Sequence, residues 1–145
     1  MKFKILNNNE QKTYAIILDE NDRVEECLKG FAKDQRIRSA QFSAIGAFKK
    51  AKVGFFDLSK RDYIPIEFNE QVEVLNLSGD VAIYKDEPVL HIHVVVGKQD
   101  GTAHGGHLLE AIVRPTLEII LTESPSYLER KMNKDIGIPL ISIEP

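Results

Sequence analysis

Apolar and polar positions follow two different periods along this chain. Val24, Cys27, Leu28, Phe31 and Ala32 recur at i, i+3, i+4, i+7 and i+8, a spacing that gathers them on one face of an α-helix. Asp22 with Glu25 three places on has the form of a capping box at the start of that helix, with Asp in place of Ser or Thr. Just upstream, Thr13–Leu18 (TYAIIL) is rich in strand formers and runs into the turn cluster Asp19-Glu20-Asn21-Asp22.

From Ser39 onward the period shortens to that of strands. Ser39–Phe48 is broken at Gly46, and Lys52–Leu58 carries Val53, Phe55 and Phe56. Tyr63–Phe68 contains Pro65, which predicts an edge strand or a bulge. Val72, Val74, Asn76 and Ser78 alternate with Glu73, Leu75 and Leu77, and Gly79-Asp80 supplies a turn signal before Val81–Tyr84. Val89–Val96 is dense in β-branched residues, with Lys98-Gln99-Asp100-Gly101 as its hairpin turn. Leu108–Val113 and Thr116–Thr122 follow, separated by Arg114-Pro115. Short strands with short connections predict an α+β fold, a mainly antiparallel β-sheet with packed helices. No repeat, low-complexity tract or Pro/Gly/Ser linker divides the chain, so residues 1–145 are expected to form a single domain.

Composition narrows the class. At 145 residues, with 43% hydrophobic and 28% charged positions, the chain can enclose a real core and is neither disordered nor fibrous. No stretch approaches the ~18 consecutive apolar residues of a membrane span. The N-terminus turns polar after Leu6, so no apolar run there suits a secretory signal. Cys27 is the only cysteine, which excludes an internal disulfide and a Cys-cluster zinc site. It falls on the apolar helix face, as a small core residue does. A cytoplasmic domain without a membrane partner is the expectation. Charge bears on partners as well. Lys+Arg is 19 against Asp+Glu 22, a net charge of −3, whereas nucleic-acid binders usually show a basic surplus. Lys49, Lys50 and Lys52, with Lys60 and Arg61 nearby, form the densest basic cluster. They read as a solvated loop or strand end, and DNA binding is not expected of them.

The chemistry concentrates in histidines. His91 and His93 flank Ile92 in the most strongly β segment, so both imidazoles point to one side of a strand. His107 follows Gly105-Gly106 where a hairpin partner begins, and pairing of the two strands would bring it level with the others. Three neutral imidazoles at one point are the ligand set of an open zinc site, and the glycines would let the backbones approach closely. The same spacing also suits solvent-facing or hydrogen-bonded histidines. His104 fits an alternative ligand, a second donor behind the ligands or an exposed turn residue, the last being the plainest. A cupin would want a carboxylate four or five residues beyond His-x-His, where this chain has Gly97 and Lys98. No Gly-x-Ser-x-Gly elbow, phosphate loop or dinucleotide fingerprint is present.

The stretch Leu90–Leu121 (LHIHVVVGKQDGTAHGGHLLEAIVRPTLEIIL) resembles the signature of the plants-and-prokaryotes-conserved (PPC) domain family. The resemblance extends upstream to Gln71–Ala82 and Ser43–Asp57, in family-like order. It implies an antiparallel sheet, a homotrimer and a metal site formed by the three motif histidines, which carries over onto His91, His93 and His107. The family also includes members described as DNA-binding, and its fold is similar to that of acetolactate decarboxylase, a zinc enzyme. Glu118, in Thr-Leu-Glu-Ile-Ile, is an acidic residue in a family-like place, and Glu73 has a similar setting. Either could orient an imidazole or act as a general base, with Glu118 the better candidate for a catalytic role. The plainer reading is an exposed strand face or a salt bridge across a subunit seam. Adjacent Phe55 and Phe56 point to opposite faces of one strand, which adds a mild physical hint of a covering subunit. Two functions follow from the whole. One is a trimeric zinc protein acting on a small oxygenated molecule. The other is a DNA-binding or regulatory module with a structural metal.

Overall fold

The structure, a computed structural model, describes residues 1–7, 11–124 and 127–143. In chain order its elements are β1 (Lys2–Asn7), β2 (Thr13–Leu18), α1 (Val24–Asp34), β3 (Ala40–Asp57), β4 (Asp62–Phe68), β5 (Val72–Tyr84), β6 (Glu87–Gly97), β7 (Ala103–Glu123), β8 (Glu129–Asn133) and β9 (Ile138–Ser142). The strands form one sheet, antiparallel throughout except for a single parallel pair, Ile83 with Glu129. The expectation of packed helices is corrected. Among the described residues α1 is the one helix, because only that stretch carries a helical apolar period. None is long and apolar enough to cross a membrane.

The helix also starts later than its capping signal suggests. Asn21 and Asp22 exchange backbone hydrogen bonds with Val113, at 2.9 and 3.0 Å, which holds them as an extension of the sheet. Arg23 therefore takes the N-cap position, without a side-chain cap. The Asp22 carboxylate instead accepts the Asp19 backbone N–H at 3.0 Å and pairs with the N-terminal ammonium at 3.1 Å.

Three predicted breaks turn out to lie inside long strands. β3 runs for 18 residues through Gly46, where φ is +150° and the pairing register shifts on both sides. A side chain there would strike the Thr116 carbonyl, so the glycine serves close approach. β5 runs through Gly79-Asp80, because Gly79 accommodates the Phe42 ring and not a turn: an added Cβ would lie 2.5 Å from Phe42 Cζ. β7 runs for 21 residues through Arg114-Pro115, a cis peptide bond.

Long strands can serve different neighbours at their two ends. β7 pairs with β3, β3 with β5, β5 with β6, and β6 again with the start of β7, so these pairings close on themselves. Ile92, Val94, Val96, Leu77, Val53 and Leu108 are buried on the inner face of this ring. Val24, Leu28, Phe31 and Ala32 of α1 belong to the same core, with Phe31 edge-on to Tyr14 at 5.2 Å. Cys27 packs partly buried at its margin. Side chains alternate between faces, so His91, His93 and His107 stand on the outer face.

Candidate metal centre

The outer row is set by register. Asp80 lies opposite His91 and Ser78 opposite His93 across β5 and β6; His93 lies opposite His107 across β6 and β7; His107 lies opposite Gly54 across β7 and β3. The hairpin turn at Lys98–Gly101 fixes the β6–β7 register. Gly101 takes φ +81° there, and the Lys98 N–H donates to the Thr102 carbonyl at 2.9 Å. Gly105 and Gly106 then admit tight backbone contact. An added Cβ would lie 2.7 Å from the Val94 carbonyl oxygen at the first and 2.8 Å from that of Gly54 at the second.

The three histidines converge. One ring nitrogen from each lies within 4.8 Å of the others. His91 Nε2 and His93 Nε2 are 3.2 Å apart. Zn–N bonds of about 2.0–2.1 Å in a tetrahedral site put ligand nitrogens a little over 3 Å apart, so this pair already has coordination spacing. A hydrogen bond between two neutral rings would have the same length. What distinguishes the readings is His107. Its Nδ1 is buried and meets no hydrogen-bond partner among the described residues. Burial, with His91 and His93 close by, pushes its pKa down to about 4. Burial also lowers that of His91, reinforced by His93 and Arg130 and opposed by Asp80. Near neutral pH both rings are uncharged, the form in which imidazole binds a metal.

Two clefts border the cluster. One, of about 200 Å³, is lined by Tyr63, Leu90, His91, His107, Arg130 and Leu140. The other, of about 180 Å³, is lined by Asn76, Ser78, His93, Val95, Gly105 and Gly106. The donor set and its surroundings fit a small divalent cation reachable from outside.

Other candidate residues lie elsewhere. His104 occupies the opposite face of β7, its Nε2 3.2 Å from Thr102 Oγ1 and its ring tilted on Phe68 at 5.6 Å. Glu118 is exposed near the far end of β7, between Ile17 and Ile45, on the order of 30 Å of strand from His107. The fold does not bring it to the histidines of the same chain. Glu73 is exposed opposite Gly97 and Ala47. In the basic cluster, Lys52 pairs with Glu67 at 2.8 Å, Lys50 with Glu110 at 3.7 Å and Lys60 with Asp57 at 3.8 Å.

Sequence reasoning missed Asp80, Arg130, Tyr63 and Gly54. Asp80 read as half of a turn, although a hairpin between β5 and β6 would have set it against His91. Arg130 lies in a short C-terminal strand that carries no local signal of contact with the histidines.

Among solved structures, the chain is similar to a candidate DNA-binding protein of Bacteroides thetaiotaomicron, at 26% identity and a TM-score of 0.88 over 99% of both chains. It is also similar to a metal-containing protein of Archaeoglobus fulgidus, at 32% identity and a TM-score of 0.84 over 97% of this chain and 96% of that one. The α-acetolactate decarboxylase of Bacillus subtilis strain 168 shares the fold more distantly, at 13% identity and a TM-score of 0.55, over 76% of this chain and 51% of the enzyme. A 118-residue stretch, 80% of this chain, is 28% identical to the bifunctional protein GlmU of Synechococcus sp. (strain JA-3-3Ab), of which it spans 18%. Residues 6–125 match the Plants and Prokaryotes Conserved (PCC) domain; with the His-x-His and Gly-Gly-His elements inside that span, the chain belongs to this family.

Proposed function

We propose that the chain is a metal-binding protein that holds one divalent cation between His91, His93 and His107. Zinc suits three neutral imidazoles best. The observation that carries the reading is the convergence of three ring nitrogens within 4.8 Å on one outer face. The metal-containing relative at 32% identity supports it. A bound cation with an open position polarises a carbonyl or lowers the pKa of bound water toward ~7. The chain's own part is to keep His91 and His107 uncharged and to leave clefts on two sides for a small oxygenated molecule. Those clefts favour a reactive or ligand-binding metal over a purely structural one.

The assembly in this proposal is a homotrimer. Its support is the outward face, where Ile45, Ile120 and Val95 are 61%, 46% and 40% exposed. Glu118 stands on that face beside Ile45, and in this proposal it belongs to the seam between subunits and not to the metal ligands of its own chain. A DNA-binding role has the description of the Bacteroides relative behind it. The carboxylates paired with Lys50, Lys52 and Lys60 speak against it.

Elemental analysis of the purified protein tests the metal centre. One zinc per chain is expected, and replacing the exposed His93 by Ala should remove it while the protein stays folded. Zinc retained by a His91/His93/His107 triple-alanine variant overturns the assignment. Loss of both metal and fold in that variant would make the metal structural.

A further inference from the structure

We infer that Arg130 is a positioning residue of the metal centre, acting through Asp80 on His91; the inference rests on the metal-binding reading above. β8 and β9 lie outside the residues that match the family domain, yet β8 reaches the site. The Arg130 side chain is only 4% exposed. An arginine so buried needs a partner, and its Nη2 makes a charge-assisted hydrogen bond to Asp80 Oδ1. Nη1 donates to the Pro139 carbonyl at 3.5 Å, which ties the guanidinium to β9.

The other oxygen of Asp80 faces the histidine cluster. Oδ2 lies 3.9 Å from His91 Nδ1, a charge contact longer than a hydrogen bond. The opposite nitrogen of the same ring, Nε2, lies 3.2 Å from His93 Nε2. The His91 imidazole therefore turns one nitrogen to the ligand cluster and the other to a carboxylate. A carboxylate beside Nδ1 favours the tautomer with its proton there, leaving the Nε2 lone pair for a cation. Asp80 is 28% exposed, and without the arginine its carboxylate would be free to rotate toward water. Arg130 takes one oxygen and so aims the other.

A purely structural role for Arg130, pinning the β8–β9 hairpin to β5, predicts a different result, and a double-mutant comparison separates the two. Zinc affinity is measured by competition with a chromophoric chelator for the wild type, Asp80→Asn, Arg130→Met and the double variant, with thermal melts confirming that the metal-free forms are folded. Each single change should weaken binding about 10- to 100-fold. The double variant should bind no more weakly than Asp80→Asn, because the arginine acts through that carboxylate. Cobalt-loaded samples of both single variants should show visible bands shifted in the same direction. Should Arg130→Met fail to fold, Arg130→Lys, which keeps a buried cation on a shorter reach, replaces it and should show an intermediate loss. Wild-type affinity in Asp80→Asn or in the folded arginine variant, or losses that simply add in the double variant, overturn the inference while the metal centre stands. A wild type that takes up no stoichiometric zinc removes the metal centre and this inference together.

Discussion

Tyr63 lies nearly flat on the imidazole of His107, with ring centroids 4.5 Å apart and planes 20° from parallel. Gly54 makes that possible. It sits opposite both Pro65 of β4 and His107 of β7, and a Cβ at Gly54 would come within 2.7 Å of Tyr63 Cδ1 and 3.0 Å of Tyr63 Cβ. The missing side chain is the space over which the tyrosine leans to shield His107 from water.

Replacing Gly54 by Ala should therefore push Tyr63 off His107. The expected cost is about 1–3 kcal/mol, typical of an overpacked site, read as a lowered urea midpoint of the metal-free protein. Zinc affinity should fall as well, since His107 would lose the neighbour that holds its ring. An unchanged midpoint would mean that the tyrosine finds an equally good position, and that Gly54 has no part in shaping the centre.

Much of this centre was legible in the sequence. The i, i+2 spacing of His91 and His93 fixes their common face by strand geometry alone, and Gly105-Gly106 marks where a second backbone must come close. β2 and the buried face of α1 were legible for the same reason, because local periodicity reports burial directly. The failures share a cause. Gly46, Gly79 and Pro115 are local break signals, and each lies inside a strand whose long-range pairing outweighs them. Tertiary pairing likewise holds Asn21 and Asp22 on β7 and takes the cap from Asp22. Arg130 was invisible because its partner Asp80 lies on another strand, and only the assembled sheet puts an arginine of β8 behind a histidine of β6.

Acid should destabilise the metal-free protein in a window set by the histidines. His107 titrates near 6.5 when unfolded and is pushed down to about 4 by burial and by its two neighbours. The unfolded chain thus binds more protons between those values, so stability is full above about 6.5 and falls as pH drops toward 4. The lowered His91 adds in the same direction. Urea midpoints at pH 7.5, 6 and 5 measure the effect. Comparison with His107→Gln isolates it from carboxylates such as Glu67 and Glu87, whose lowered values place their losses at more acid pH. If the two proteins lose stability in parallel between pH 7 and 5, His107 is not a half-buried ring held neutral by the fold.

The outward face of the sheet should govern assembly. Ile120 lies opposite Ser43, Ser43 opposite Ser78, and Ser78 opposite His93, so one row of register links the apolar face to the histidines. Ile45, at 61% exposure in the middle of a long strand, is the most open of the apolar residues on that face. Light scattering of the wild type should give a trimer mass at micromolar concentration, and Ile45→Glu should shift it to monomer by placing a charge in a dry contact. A monomeric wild type would contradict the trimer outright. A variant that remains trimeric would move the interface off this face.

DNA affinity should be weak for reasons visible both in the composition and in the pairing of charges. Phosphate-driven binding needs lysines and arginines free to displace counterions. Here Lys52 is engaged by Glu67 at 2.8 Å, Lys50 by Glu110 at 3.7 Å and Lys60 by Asp57 at 3.8 Å. Such exposed pairs add little to stability, but they cancel the local positive field a polyanion would seek. The net charge of −3 per chain would reach about −9 in a trimer and oppose approach at long range. Fluorescence anisotropy with random and AT-rich duplexes at about 150 mM salt should therefore give no binding tighter than the non-specific range, roughly 10⁻⁴ to 10⁻⁶ M. Saturable nanomolar binding that is lost on changing Lys49, Lys50 and Lys52 to Glu would reverse the order of the two functional readings. In that event the ion pairs around β3 would have to open on contact with phosphate, and affinity should then fall steeply as salt is raised, with a slope set by the number of lysines released.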